Sequence, residues 1–188
     1  FCDQDDIWYP EKLNEYMKFL ISENYNLIFS DSEIINENNN MISSSLHKFR
    51  NVSNFENVSI TKSILRPFVA GHSMSGKTYL LKKMCKLKLS EKNQKLINYD
   101  AFVFSYYLLS GNIKYLDKTL TKYRLHKTND LGVKKPAMKN VISNNLTNTI
   151  NYFKLKHLKR KIMIECLLKL NIYNIELKIL NYFLIVVR

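Results

Sequence analysis

Three carboxylates stand within four residues at Asp3-Gln4-Asp5-Asp6. Such a cluster repels itself unless a cation or a hydrogen-bond network compensates it. Oxygen-seeking Mg²⁺ or Mn²⁺ would do so; solvent would too, with Asp5 or Asp6 capping the helix that follows. Asp100 opens a helical pattern, where the helix dipole favours a carboxylate. Arg124 and His126 alternate along an extended segment, so they point to one side and together suit a diphosphate or a metal. Gly71 to Thr78 (GHSMSGKT) satisfies the G-x-x-x-x-G-K-[ST] pattern of a phosphate-cradling loop.

The elements that must position these groups are read from periodicity and punctuation. Phe1-Cys2 reads as the end of a buried strand running into the acidic turn. Pro10 and Glu11 suit the first turn of a helix, with Leu13, Tyr16, Met17 and Leu20 at helical spacing. Leu27 to Phe29 reads as a short buried strand ending at Ser30-Asp31. The Asn-rich stretch 36–40 is a turn, and between 41 and 65 the pattern supports one short helix near Ile60 to Leu65. Pro67 to Ala70 reads as a strand leading to Gly71, and Tyr79 to Leu87 as a helix with Leu80, Leu81 and Met84 on one side. A second helix runs from Asp100 with Phe104, Tyr107 and Leu108 on one stripe, closed by Gly111. Ile113 to Leu116 and Leu120 to Leu125 read as two short strands, and helices follow from about Lys139. The expected class is α/β over residues 1–135, followed by a helical extension over 136–188.

The chain has 188 residues, 46% of them hydrophobic, enough for one domain with a core. It begins at Phe1 with the acidic cluster two residues in, and so reads as a truncated chain. Cys2, Cys85 and Cys166 are scattered and odd in number, which argues against a disulfide framework and a structural zinc site. No apolar run reaches 18 residues and no secretion signal is present, so the expectation is a cytoplasmic protein. The net charge of +13 is uneven: residues 1–40 hold nine carboxylates against Lys12 and Lys18, and the remainder is basic. No zinc-finger, RRM or KH signature accompanies that charge, and no nucleic acid is expected as a partner. Lys154 to Lys161, followed by an apolar segment, suits a basic helix lying peripherally on an anionic inner membrane face.

The string from Cys2 to Leu13 (CDQDDIWYPEKL) resembles the D-x-D-D-x-W-x-P-x-K-L segment of family 2 glycosyltransferases, particularly the rhamnosyltransferase-like ones. Three further segments resemble the same family in the same order. Gly71-His72-Ser73-Met74 with Leu80-Leu81 is similar to its acceptor-side glycine loop. Asn98-Tyr99-Asp100, with Gly111 and Tyr115-Leu116 after it, is similar to its catalytic-aspartate helix and following strand. Tyr123-Arg124-Leu125-His126 with Asn129 and Gly132 is similar to its Y-R-x-H-x-x-N segment.

The resemblance spans roughly residues 1–132 and implies a partial GT-A fold, entered midway. By it, a nucleoside-diphosphate sugar is the donor and a hydroxyl of a glycan or lipid-linked acceptor in surface polysaccharide synthesis receives the sugar. Asp5 and Asp3 would hold Mg²⁺ or Mn²⁺, with Arg124 and His126 joining them at the donor diphosphate. Asp100 would be the general base, and Trp8, Gly71 and His72 would face the acceptor. The family often places an acid or His before the catalytic Asp, where this chain has Tyr99. Two other readings stand beside the enzyme: a P-loop nucleotide-binding module at Gly71 to Thr78, and a non-catalytic remnant.

Overall fold

A computed structural model of the chain describes residues 1–53, 55, 58–126 and 146–170, with residues 146–150 as helix backbone alone. In chain order it runs β1 (Ile7–Trp8), α1 (Lys12–Met17) continuing as a π-helical turn (Lys18–Ser22), β2 (Leu27–Ile35), β3 (Met41–Ser43), α2 (Leu46–Phe49) and α3 (Ile60–Leu65). A 3₁₀ turn (Gly71–Ser73) leads into β4 (Met74–Gly76), then α4 (Thr78–Cys85), α5 (Glu91–Leu96), α6 (Tyr99–Leu109), β5 (Ile113–Arg124) and α7 (Leu146–Lys169).

The sheet is mixed. Its centre is the parallel pair β2 and β5, from Leu27 opposite Ile113 to Ile35 opposite Arg124. The two-residue β1 lies antiparallel on the outer side of β5. On the other side of β2, β4 pairs antiparallel with its first residues and β3 with its last. Side chains alternate between faces along a strand, so Leu27 and Phe29 enter the main core with α3, α4, α6 and α7. Ile28 points the other way, onto Tyr16, Leu20, Leu116 and Leu120. Helices thus cover both faces, which makes the chain a mixed α/β fold.

Several elements differ from the sequence reading. Strand β2 does not stop at Ser30-Asp31 but continues to Ile35, because its polar residues find partners inside. Ser30 bonds the Tyr16 hydroxyl at 2.8 Å, the Asp31 carboxylate takes the Ser45 hydroxyl and the His47 amide, and Ser32 meets His72. The two segments expected at 113–116 and 120–125 are one twelve-residue strand with irregular register opposite Ser30 and Asp31. Pro67 to Ala70 is buried from Phe68 to Ala70 but forms no strand, and neither does Phe1-Cys2. The first helix buries Lys12, Tyr16 and Leu20, four apart, and leaves Leu13 and Met17 outside. Helix α6 is buried along its whole run from Ala101 to Tyr107 rather than on one stripe.

The helical extension is not an appendage where it is described. Ile162, Met163, Ile164, Cys166, Leu167 and Leu170 belong to the same core as Phe102 and Ile64, and Arg160 bonds the Leu65 carbonyl at 2.6 Å. No helix among the described residues is long and apolar enough to cross a membrane.

Gly76 sets how closely β4 approaches α6. A Cβ there would stand 2.6 Å from Cζ of Tyr107, whose hydroxyl is tied to the Lys77 carbonyl at 2.8 Å and so cannot swing aside. Gly76→Ala is therefore expected to destabilise the fold by about 1–3 kcal/mol, the usual cost of overpacking. A denaturant midpoint unchanged from the parent would contradict that contact.

Candidate functional site

The acidic turn precedes β1, and the pairing of β1 with β5 brings it against the end of β5. The Arg124 amide donates to Asp6 Oδ1 at 2.9 Å. The other oxygen, Oδ2, lies 3.1 Å from His72 Nδ1, and Asp3 Oδ2 is 3.7 Å from the same nitrogen. His72 is only 1% exposed; its Nε2 contacts Ser32 Oγ at 3.0 Å and its ring stacks on Tyr123. Asp6 Oδ2 and His72 Nδ1 are both enclosed and neither makes a hydrogen bond of good geometry. Asp3, Asp6 and His72 thus form a set of three metal-capable groups with donor atoms within 4.8 Å. His72 beside it holds the Asp3 carboxyl below the usual range, whereas burial pushes Asp6 up.

Asp5 turns the other way. Its Oδ2 meets His126 Nε2 at 2.8 Å, and its carbonyl accepts from Arg124 Nε at 2.9 Å. Arg124 also reaches the carbonyls of Asn36 and Glu37, so its guanidinium ties the acidic turn to the β2–β3 turn. A cleft of about 390 Å³ lined by Asn36, Glu37, Asn38, Ile42, Leu125 and His126 opens here. The Asp5 and His126 side chains are 37% and 32% exposed and Asp3 is 56% exposed, against none for Asp6.

Asp100 approaches from α6. Asn98 caps that helix, its side chain accepting from the Ala101 amide at 2.8 Å, which leaves the Asp100 carboxylate to face the glycine turn. A Cβ on Gly71 would lie 2.6 Å from Asp100 Oδ1, so glycine is what lets the carboxylate approach this backbone. Burial raises the Asp100 carboxyl above its ordinary value; the Gly71 amide opposes that, Asp3 adds to it, and His72 and Arg50 oppose it. The acidic turn is thus within electrostatic reach of Asp100.

No protein-family model and no curated protein matches this chain.

The structure brings together most of the residues singled out from sequence and redistributes their roles. Asp3 has Asp6 and His72 as its metal-capable neighbours, while Asp5 has His126. His72, expected at the acceptor, is enclosed behind the carboxylates, with its ring nitrogens facing Asp6, Asp3 and Ser32. Gly71 serves Asp100 through its lack of a side chain. Trp8 is half-buried, with the Lys12 ammonium 4.2 Å from its ring centre. Asn129 and Gly132 lie outside the described residues. Within Gly71 to Thr78, residues Met74–Gly76 are a strand laddered to β2, and Lys77 Nζ bonds the Asn24 side chain.

Lys12 was missed as a buried group behind the acidic turn. It is 2% exposed, donating from Nζ to the His72 carbonyl at 2.7 Å and to Thr121 Oγ1 at 2.8 Å. Burial lowers its pKa to about 8, against the pull of nearby Cys2, Asp6 and Asp3. The available signal was its place four residues before Tyr16 and eight before Leu20, on the buried face of α1.

Proposed function

We propose that this chain is part of an inverting, metal-dependent glycosyltransferase of the GT-A type, transferring a sugar from a nucleoside-diphosphate donor to an acceptor hydroxyl. The observation that carries this reading is convergence. The segments at 2–13, 71–74, 98–100 and 123–126, far apart in sequence, meet around one acidic turn with Asp100 across from it. Such gathering is what a single-displacement reaction needs: one carboxylate to take a proton and a cationic centre to receive a departing diphosphate.

In this reading Asp100 takes the acceptor hydroxyl's proton as that oxygen bonds to the sugar's anomeric carbon. The bond from that carbon to the diphosphate oxygen breaks, and the electron pair leaves with the nucleoside diphosphate. The raised affinity of Asp100 for a proton suits a base. A bound divalent cation supplies neutralisation of the leaving diphosphate. Asp5 and Asp3 would hold it, with His126 as nitrogen donor, because these groups reach solvent where a donor can share the ion; the donor set already gathered among the described residues is Asp3, Asp6 and His72, so this ligation requires the Asp5 side chain to turn toward Asp3. An imidazole in the set favours Mn²⁺ over Mg²⁺. The enclosed Asp6–His72 pair supports Asp3 from behind and is fixed in turn by Lys12 and Ser32. The strand at Met74–Gly76 favours this reading over a phosphate-cradling loop.

Calorimetric titration with Mn²⁺ tests the ligand assignment. Asp5→Asn is expected to weaken binding by about 10–100-fold, a loss on the scale seen when metal sites are disturbed, and Asp6→Asn by less. The reverse order would move the ion to Asp3, Asp6 and His72, and absence of Mn²⁺ binding by the parent chain would remove the metal from the reading.

A further inference from the structure

A second concavity lies beside Tyr99. It measures about 280 Å³ and is lined by Met84, Cys85, Leu87, Leu89, Gln94, Ile97, Tyr99 and Phe102, from α4, α5 and the start of α6. All but Gln94 of these present apolar, aromatic or thiol surface, and the volume is at the small end for ligand pockets, suited to one narrow apolar segment. Tyr99 forms part of its wall, beside both Asp100 and Cys85.

The charge around this groove is one-sided. Lys82, Lys83, Lys86, Lys88, Lys92 and Lys95 interleave with the lining residues, against Glu91 alone. All six lysines are exposed, and none is ion-paired among the described residues. Unpaired lysines clustered around an apolar groove match an anionic amphiphile: negative headgroups for the ammoniums and a hydrocarbon segment for the groove. The amino-terminal half of α7, expected from its basic sequence to meet a membrane, is a poorer fit. Its exposed Tyr152, Phe153, Leu155 and Leu158 are mixed around the helix with Lys154, Lys156 and Lys159, so no apolar face is separated from a basic one.

We infer that the α4–α5 face, with its groove at Tyr99, is a docking surface for a bilayer rich in anionic phospholipid. The face adjoins Asp100 through Tyr99, so docking would bring the start of α6 close to the lipid surface. The inference stands on this face alone and does not depend on the glycosyltransferase reading.

Co-sedimentation with vesicles tests it. The chain is expected to bind vesicles of equal phosphatidylcholine and phosphatidylglycerol and to ignore phosphatidylcholine alone. Neutralising the groove face (K82Q, K83Q, K86Q, K88Q, K92Q and K95Q together) is expected to weaken binding at least about tenfold, as loss of several surface lysines should. Neutralising α7 (K154Q, K156Q and K159Q) is expected to change it less than about twofold, as charges off the docking face should. Far-ultraviolet dichroism checks folding, and K86Q with K88Q alone, still expected to weaken binding, replaces the sixfold variant if that one misfolds.

A second readout separates groove insertion from general attraction. Cys85 is exposed and lines the groove, whereas Cys166 is buried. With Cys2→Ser in place, an environment-sensitive fluorophore on Cys85 is expected to shift to the blue on anionic vesicles. Retained binding by the groove-face variants would overturn the inference. So would loss in the α7 variant instead, binding without a shift at Cys85, or binding of a single-stranded oligonucleotide in place of vesicles.

Discussion

Asp100→Asn is expected to lower sugar transfer by about 10²–10⁴-fold, the usual contribution of a positioned general base, while donor binding survives. The substitution keeps the shape of the side chain and its place against Gly71, so the turn it packs on need not move. What it removes is the proposed proton acceptor. Nucleoside diphosphate release measures turnover, and titration with the nucleotide-sugar measures binding; the two must part company. Turnover within about twofold of the parent, well short of the loss expected for a base, would take Asp100 out of that role. Loss of binding along with turnover would make it a structural support of the glycine turn.

The same carboxylate predicts a pH dependence. Burial raises its proton affinity, so the base form is depleted as pH falls, beginning at higher pH than for an ordinary aspartate. Turnover should show an acid limb displaced upward from the usual carboxylate range. An acid limb within that range would contradict the burial of Asp100.

Lys12→Met is expected to cost about 2–4 kcal/mol of stability, because it strands the His72 carbonyl and the Thr121 hydroxyl in a buried place, each at about 1–3 kcal/mol. Methionine fills nearly the same volume, so little of that cost would come from a cavity. The substitution also removes a positive charge close to Asp3 and Asp6, which should loosen the acidic turn. Denaturant unfolding, followed in parent and variant, measures the difference; equal midpoints would show that the two acceptors find other partners.

Lys12 also leaves a signature in pH. Its pKa is about 8 in the folded chain against 10.5 in a free lysine. Between those values the unfolded chain holds more protons than the folded one, so stability rises with pH there. The rise should begin near pH 8 in the parent and be absent in Lys12→Met. It is best read below pH 10 and as the difference between parent and variant, because the buried Cys166 thiol, held above its ordinary value, and Tyr16 and Tyr107, both raised to about 12, act in the opposite sense once their unfolded counterparts ionise. A parent curve that is flat or falling over that window, matching the variant, would mean that Lys12 is not enclosed.

Local pattern was enough wherever an element depends on its own residues. The helix at Ile60–Leu65, the helix from Thr78, the long helix closed by Gly111 with its positive φ, and the Asn36–Asn40 turn were all legible. Polar residues misled where their partners come from elsewhere in the chain. Ser30-Asp31 looked like the end of a strand, yet Tyr16, Ser45 and His47 receive these two residues in the interior, and His72 receives Ser32 beyond them. Of the apolar residues of the first helix, Tyr16 and Leu20 are buried but Leu13 and Met17 are not, for a related reason: Lys12 takes the buried place because the His72 carbonyl and the Thr121 hydroxyl receive its ammonium, partners that no helical periodicity contains.

By itself the sequence determined that an acidic turn, a glycine turn, a helix-opening aspartate and an Arg-x-His segment occur in this order, and that the chain alternates strands and helices. The parallel pairing of β2 with β5, and β1 on its outer edge, decided which of those groups meet. That pairing sends Asp5 to His126, encloses Asp6 with His72 and puts Asp100 against Gly71. The physical reason is that carboxylates so close together are tolerated only with compensating partners, and those partners lie some 60 to 120 residues away, brought near by the sheet alone.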